Sequence, residues 1–140
     1  MVAYLEHANI TVPDIDAAIA FLKVVEPAFI VRHEESPAGS YRWAHIGTAQ
    51  CYIALQEPHV DTTPQQAHRS YKDYGVNHLG WVVDDLQAVV HRLEEHGYRR
   101  GMAVAPHPYR KRAYYYDAAG FEWEIVEYLS NRPEERNMYT

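Results

Sequence analysis

The sequence predicts an α+β protein built from two copies of a βαβββ unit, and three observations carry that expectation. Residues 7–22 (HANITVPDIDAAIAFL) and 78–93 (HLGWVVDDLQAVVHRL) align without a gap at an offset of 71. His7 meets His78, Val12 meets Val83, Asp14 meets Asp85, Ala17 meets Ala88 and Leu22 meets Leu93. Within each copy an alternating run gives way to helical spacing, the mark of a strand passing into a helix. After each helix come three further short runs rich in β-branched and aromatic residues.

Taken in order, Ala8, Ile10 and Val12 alternate with His7, Asn9 and Thr11, and Leu79, Trp81 and Val83 alternate with His78, Gly80 and Val82. Asp14 in one copy and Asp84 or Asp85 in the other stand where a carboxylate accepts the free N–H groups of a helix N-terminus. Ile15, Ala18, Ile19 and Leu22, and likewise Leu86, Val89, Val90 and Leu93, fall at i, i+3, i+4 and i+7, one apolar stripe per helix. Pro27 stops the first helix and Gly97 the second. The strands expected next are Phe29–Glu34, Tyr41–His45 and Gln50–Gln56, then Tyr98–Val104, Lys111–Tyr116 and Glu122–Tyr128, with a turn at Asp117–Gly120. The whole is expected to be one domain: module one over about residues 1–57, a connector over 58–74 in which Pro64–Tyr71 has the makings of a helical turn, module two over 75–129, and a tail over 130–140. The tail, too polar for a core, is expected either to fray or to lie on a partner subunit.

Composition narrows the function. A chain of 140 residues buries roughly 68–70% of its unfolded surface, enough for a core without staples. The single cysteine, Cys51, rules out an intrachain disulfide, and no run reaches the roughly 18 apolar residues of a membrane span. The N-terminal residues lack the pattern of a signal peptide, so the expected setting is the cytoplasm, with no membrane partner. A net charge of −6 argues against a nucleic-acid partner. Histidine is abundant, nine in all, and is the commonest metal ligand. His7 and His78 occupy equivalent places in the two copies, opposite the apolar face, whereas His33, His59, His68, His91, His96 and His107 fall on expected loops, turns or polar helix faces. In the last strand Glu122, Glu124, Val126 and Tyr128 share a face, and a carboxylate in so apolar a strand needs a balancing charge.

These features together, a histidine opening the first strand, NHLGWVVDDL before the second helix and DAAGFEWEIVEY near the end, resemble the vicinal oxygen chelate superfamily over roughly residues 3–129. That group contains glyoxalases, bleomycin- and fosfomycin-resistance proteins and extradiol dioxygenases. The resemblance implies that the two modules form an incomplete mixed β-barrel with helices outside, that the chain pairs as a homodimer, and that it holds one divalent metal ion. It implies His7, His78 and Glu124 as ligands, Glu124 lying four residues after the turn glycine, Gly120. It also makes Glu124 the catalytic group able to move a proton. The sequence departs from the lactoylglutathione lyases of the family where a fourth carboxylate ligand is usual: Ala54 and Gln56 stand there. The common DPDG turn is DAAG here. Two imidazoles and one carboxylate leave open positions compatible with Fe, Mn, Ni or Zn.

Candidate substrate-binding residues surround this set. Gln56 lies on the face of Ala54, and His45 shares a strand with Trp43. Between Glu95 and Asp117 there is no acid, whereas Arg99, Arg100, Arg110, Lys111 and Arg112 supply five of 13 cations. Alternation puts Arg110, Arg112, Tyr114 and Tyr116 on one face, suited to grip a carboxylate or phosphate. The expectation is a metal-dependent lyase or isomerase of the glyoxalase-like branch, acting on a small, oxygen-rich, anionic molecule. The alternatives are an extradiol-type dioxygenase, a fosfomycin-resistance-like transferase and a non-catalytic bleomycin-type binder.

Overall fold

A computed structural model describes residues 2–63 and 69–139, so most of the helical turn expected at Pro64–Tyr71, and His68 with it, lie outside the described residues. The chain divides into two compact units, Met1–Ala67 and His68–Thr140, each a sheet with a helix against one face. The α+β expectation holds in both, and neither sheet closes into a barrel.

In the first unit β1 (His7–Thr11), α1 (Ile15–Val25), β2 (Ile30–Glu35), β3 (Trp43–Gly47) and β4 (Tyr52–Gln56) follow one another. The sheet order is β1-β4-β3-β2, with β1 parallel to β4 and the other pairs antiparallel. A βα connection lets β1 return beside β4 in parallel, and hairpins join the rest. Asp14 caps α1, its carboxylate accepting the Ala17 N–H at 3.0 Å. The buried face of α1 is Ile15, Ala18, Phe21, Leu22 and Val25, with Ile19 turned to its edge. It covers Ala44, Ile46, Ile53 and Leu55, the inward set of β3 and β4.

The second unit runs β5 (His78–Val82), α2 (Leu86–Glu95), β6 (Arg110–Tyr116), β7 (Glu122–Tyr128) and a single turn, α3 (Pro133–Arg136). Here β7 is central, parallel to β5 and antiparallel to β6. Asp85 caps α2 through the Ala88 N–H (3.0 Å), Glu127 takes the Leu86 N–H (2.9 Å), and Gly97 leaves the helix at φ +75°, where a side chain is strained. Leu86, Val89 and Leu93 pack on Ala113, Tyr115, Trp123 and Ile125, and the Tyr115 hydroxyl donates to Glu94 at 3.0 Å.

One expectation is corrected. Tyr98–Val104 is not a strand. It pairs with β6 at one bridge, Arg100 to Tyr115, flanked by hydrogen bonds from Tyr116 N–H to Arg99 and from Gly101 N–H to Tyr114. The chain comes so near β6 and β7 that a Cβ on Gly101 would lie 2.7 Å from Glu122 Oε1 and 2.8 Å from Tyr114 Cβ. Beyond it, Pro106 and Pro108 bring no N–H to a ladder. In the tail, α3 folds back on its own unit, the Arg110 guanidinium donating to the Arg136 carbonyl at 3.1 Å and the Arg136 guanidinium lying 4.0 Å from the Tyr128 ring. No described helix is long and apolar enough to cross a membrane.

The expected turn before β7 is present and is held by Asp117. Its Oδ1 accepts the N–H groups of Ala119 and Phe121, each at 3.0 Å, its Oδ2 accepts the Trp123 indole N–H at 3.0 Å, and Gly120 takes φ +87°. Asp117→Ala strands those donors in a buried place, so a loss of about 2–3 kcal/mol is expected in urea unfolding. Asp85→Ala, which removes one cap, is expected to cost about 1 kcal/mol.

Candidate functional site

Each sheet turns its face opposite the helix into a row of polar and aromatic side chains. In the first unit, the register His7↔Tyr52, Asn9↔Ala54, Thr11↔Gln56, His45↔Ala54 and Trp43↔Gln56 puts His7, His45, Ala54 and Gln56 on one face, as the alternation predicts. The rings form a continuous row. His7 stacks on Tyr52 (4.8 Å between centroids, 16°), Tyr52 meets His45 (4.7 Å), His45 meets Trp43 (5.0 Å), and Trp43 meets His33 (5.0 Å). The Arg32 guanidinium lies 4.2 Å over Tyr52, a cation–π contact. Glu6 Oε2 stands 3.0 Å from His7 Nδ1 and orients the ring.

Tyr52 was legible by the same alternation that picked out Ala54 and Gln56. Arg32 and His33 were not: β2 carries a bulge between Val31 and His33, which breaks the period. His33, expected as plain surface, joins the ring row while its other side pairs with Glu35 at 2.9 Å.

In the second unit the face comprises His78 and Gly80 from β5, Glu122 and Glu124 from β7, and Arg112, Tyr114 and Tyr116 from β6. Two of the expected ligands meet here: His78 Nε2 lies 3.2 Å from Glu124 Oε2. The other imidazole nitrogen, Nδ1, is 3.0 Å from the Tyr71 hydroxyl. Tyr114 stands edge-on to the His78 ring at 5.3 Å. Burial, then the Glu124 carboxylate, push the Tyr114 hydroxyl up to about 12, so it is a proton donor at neutral pH. Burial and the neighbouring Glu122 raise Tyr71 as well. Within this unit no third His, Cys, Asp or Glu among the described residues joins His78 and Glu124 as a metal donor; His7 belongs to the first unit.

The other expected substrate residues divide. Arg112 and Tyr114 stand on this face, and Tyr116 does too, covered by Arg99 at 3.8 Å. Arg110 is corrected: it is only 7% exposed, donates to the Arg136 carbonyl and faces the Tyr139 ring at 4.8 Å, so it anchors the tail. His91 and His96 are exposed on α2 and its end, and His59 stacks on Tyr41 at 4.1 Å. His107 is half-buried rather than surface, its Nδ1 accepting the Tyr109 N–H at 3.2 Å. Tyr71 was missed because the connector has no periodicity.

Against this geometry the comparisons are specific about family. Residues 6–130 match the model of the glyoxalase/bleomycin resistance protein/dioxygenase superfamily, and the chain belongs to it. Among solved structures, it is similar to a glyoxalase family protein from Bacillus cereus (18% identity, 93% of this chain and 97% of that one, TM-score 0.76). It is also similar to a glyoxylase/bleomycin resistance protein/dioxygenase domain from Frankia sp. EAN1pec (17%, 99% and 100%, TM-score 0.75). A third is the fosfomycin resistance protein FosX from Listeria monocytogenes complexed with Mn(II) and sulfate ion (17%, 99% and 100%, TM-score 0.68). At these identities the likeness is one of fold. A comparison with curated proteins finds no match.

The ring row has a pH signature. Burial, aided by Arg32, lowers the His45 pKa below the ordinary histidine value. Between the folded and unfolded values the unfolded chain binds the proton and the folded one does not, so His45 supports folding fully above the ordinary value and loses that support as pH falls. Thermal unfolding followed downward from pH 7.5 is expected to show this decline, and His45→Gln to flatten it.

Proposed function

We propose that this chain is a divalent-metal-dependent enzyme of the glyoxalase-like type, a lyase or isomerase acting on a small, oxygen-rich, anionic substrate. The observation that carries the reading is the convergence of His78 Nε2 and Glu124 Oε2 at 3.2 Å. Two donors each about 2.1 Å from one ion and about 90° apart stand about 3.0 Å from each other, so the pair fits a shared Fe, Mn, Ni or Zn ion. In this reading His7 is the third ligand, and FosX from Listeria, complexed with Mn(II), shows that a protein of this fold takes such an ion.

Bound there, the ion would supply Lewis-acid polarisation of two neighbouring substrate oxygens. The remaining work falls to the chain. Glu124 is the carboxylate placed to accept a substrate proton, since neither Ala54 nor Gln56 can. Tyr114, held protonated beside it, donates a hydrogen bond toward oxygen that gains charge. Arg112 supplies the cation for an anionic substrate, and Tyr116, Gln56 and His45 supply polar and aromatic contacts. A homodimer in the cytoplasm is part of the same reading.

Metal analysis after chelator-free purification is expected to find one divalent ion per chain. His7→Ala, His78→Ala and Glu124→Ala are each expected to weaken it beyond the roughly 10–100-fold that loss of an outer partner costs, and His91→Ala to leave it unchanged. Hemithioacetals are expected to isomerise without oxygen uptake, whereas oxygen consumption with catechols would point to a dioxygenase. No metal in the protein, with no thermal shift on adding Mn(II), Fe(II), Ni(II) or Zn(II), would overturn the enzyme reading in favour of drug sequestration.

A further inference from the structure

Three features of the second unit have no part in the scheme above. Tyr71 has φ +66°, the only described residue other than glycine in the left-handed region, and a bulky aromatic side chain is costly there. Asn77 clasps it: the Asn77 Oδ1 accepts the Tyr71 N–H at 2.6 Å, and the Ser70 hydroxyl donates to the Asn77 carbonyl at 2.9 Å. Glu122 is a carboxylate only 2% exposed, and neither of its oxygens has a hydrogen bond of good geometry among the described residues. Gly101 leaves room for that carboxylate, since any Cβ there would collide with it.

We propose that Tyr71 is a positioning residue for His78: its hydroxyl oxygen takes the Nδ1–H of the imidazole and its O–H passes the hydrogen bond on to the buried Glu122, which turns the lone pair of Nε2 toward Glu124. A neutral imidazole has one N–H. With that hydrogen on Nδ1, Nε2 is a bare acceptor facing a carboxylate 3.2 Å away, an arrangement that is stable with a cation between them. The clamp therefore prepares His78 for a metal rather than for a proton. It also gives the stranded Glu122 oxygens, which lie beside the Tyr71 hydroxyl, a donor. The strained backbone has a reason as well: the left-handed turn and the Asn77 clasp go with a hydroxyl 3.0 Å from Nδ1.

The consequence for metal affinity rests on the metal reading; the clamp itself does not. The test is Tyr71→Phe in the full chain, which keeps the ring and removes the hydroxyl. Its Kd for Mn(II), by calorimetry, is expected to weaken by about 10–100-fold, with Glu122→Leu weakening it in the same direction and Glu122→Gln, which keeps an acceptor, restoring most of the affinity. In protein labelled with ¹⁵N-histidine, the Zn(II)-loaded wild type is expected to show His78 protonated on Nδ1. In the metal-free protein, Tyr71→Phe is expected to move the His78 Nδ1 resonance and leave those of His91 in place. If the His78 resonances do not move, the clamp is overturned whatever the metal does. If they move but the Mn(II) Kd changes by less than about twofold, the link to the metal is overturned. If the wild type binds neither ion, the proposed function fails, and the metal-free resonances still decide the clamp.

Discussion

The buried carboxylate of Asp117 is the contact on which the second sheet depends. It gathers two backbone N–H groups of the turn and the indole N–H of Trp123, so the first residues of β7 leave the turn with their faces already assigned. Burial raises the Asp117 pKa and the hydrogen bonds from Trp123, Phe121, Ala119 and Gly120 oppose the rise, which keeps an acid useful as an anchor in an apolar setting. Trp123 and Ile125 then go to the helix side and Glu122 and Glu124 to the other. A slip of one residue would exchange the two sets and bury the acids under α2. The parallel register with β5, which sets Gly80 opposite Glu124, completes the placement of His78.

Charge in this sheet is managed by pairing at its edges and by restraint at its centre. Lys111 and Glu127 pair at 2.9 Å on the helix side, and Glu127 also takes the first free N–H of α2, so one carboxylate serves both elements and its pKa is lowered for that reason. On the opposite face Glu122 and Glu124 stand two residues apart; among the described residues no lysine or arginine pairs with either, Glu124 faces the imidazole of His78, and the tyrosines around them are held protonated. Two carboxylates so placed repel one another unless protons or a cation intervene. That concentration of acceptors, rather than any single residue, is what gives the face its chemical character. The first unit is organised differently, with stacked imidazole, phenol and indole rings under a guanidinium, a surface suited to flat or anionic groups.

Much of this was legible in the chain. The offset of 71 located both capped helices, because Asp14 and Asp85 do the same local work in both copies. Alternation placed Gln56, Tyr114 and Glu124 on their faces, since a strand's period of two is set by the backbone alone. It failed where the backbone departs from that period: at the bulge beside Arg32, and at Gly101, where a run that reads as a strand makes one bridge because proline follows and the sheet is crowded. It misread Arg110 for another reason. The strand and face were right, but the tail that covers the guanidinium is too polar to announce that it folds back.

The sequence by itself therefore determined most of the elements, the caps of the two long helices and the faces of the strands, which follow from short-range periodicity and hydrogen bonding between near neighbours, and its motifs carried the resemblance to the family. The tertiary structure decided which polar groups share a neighbourhood. Tyr71 reaches His78 from a connector with no pattern, through one left-handed residue and an asparagine six positions on. Glu122 and Glu124 look alike in sequence, yet one is sealed beside Gly101 and the other faces an imidazole nitrogen. Burial and the meeting of side chains distant along the chain depend on how elements pack, and that information is spread over all the residues that pack them.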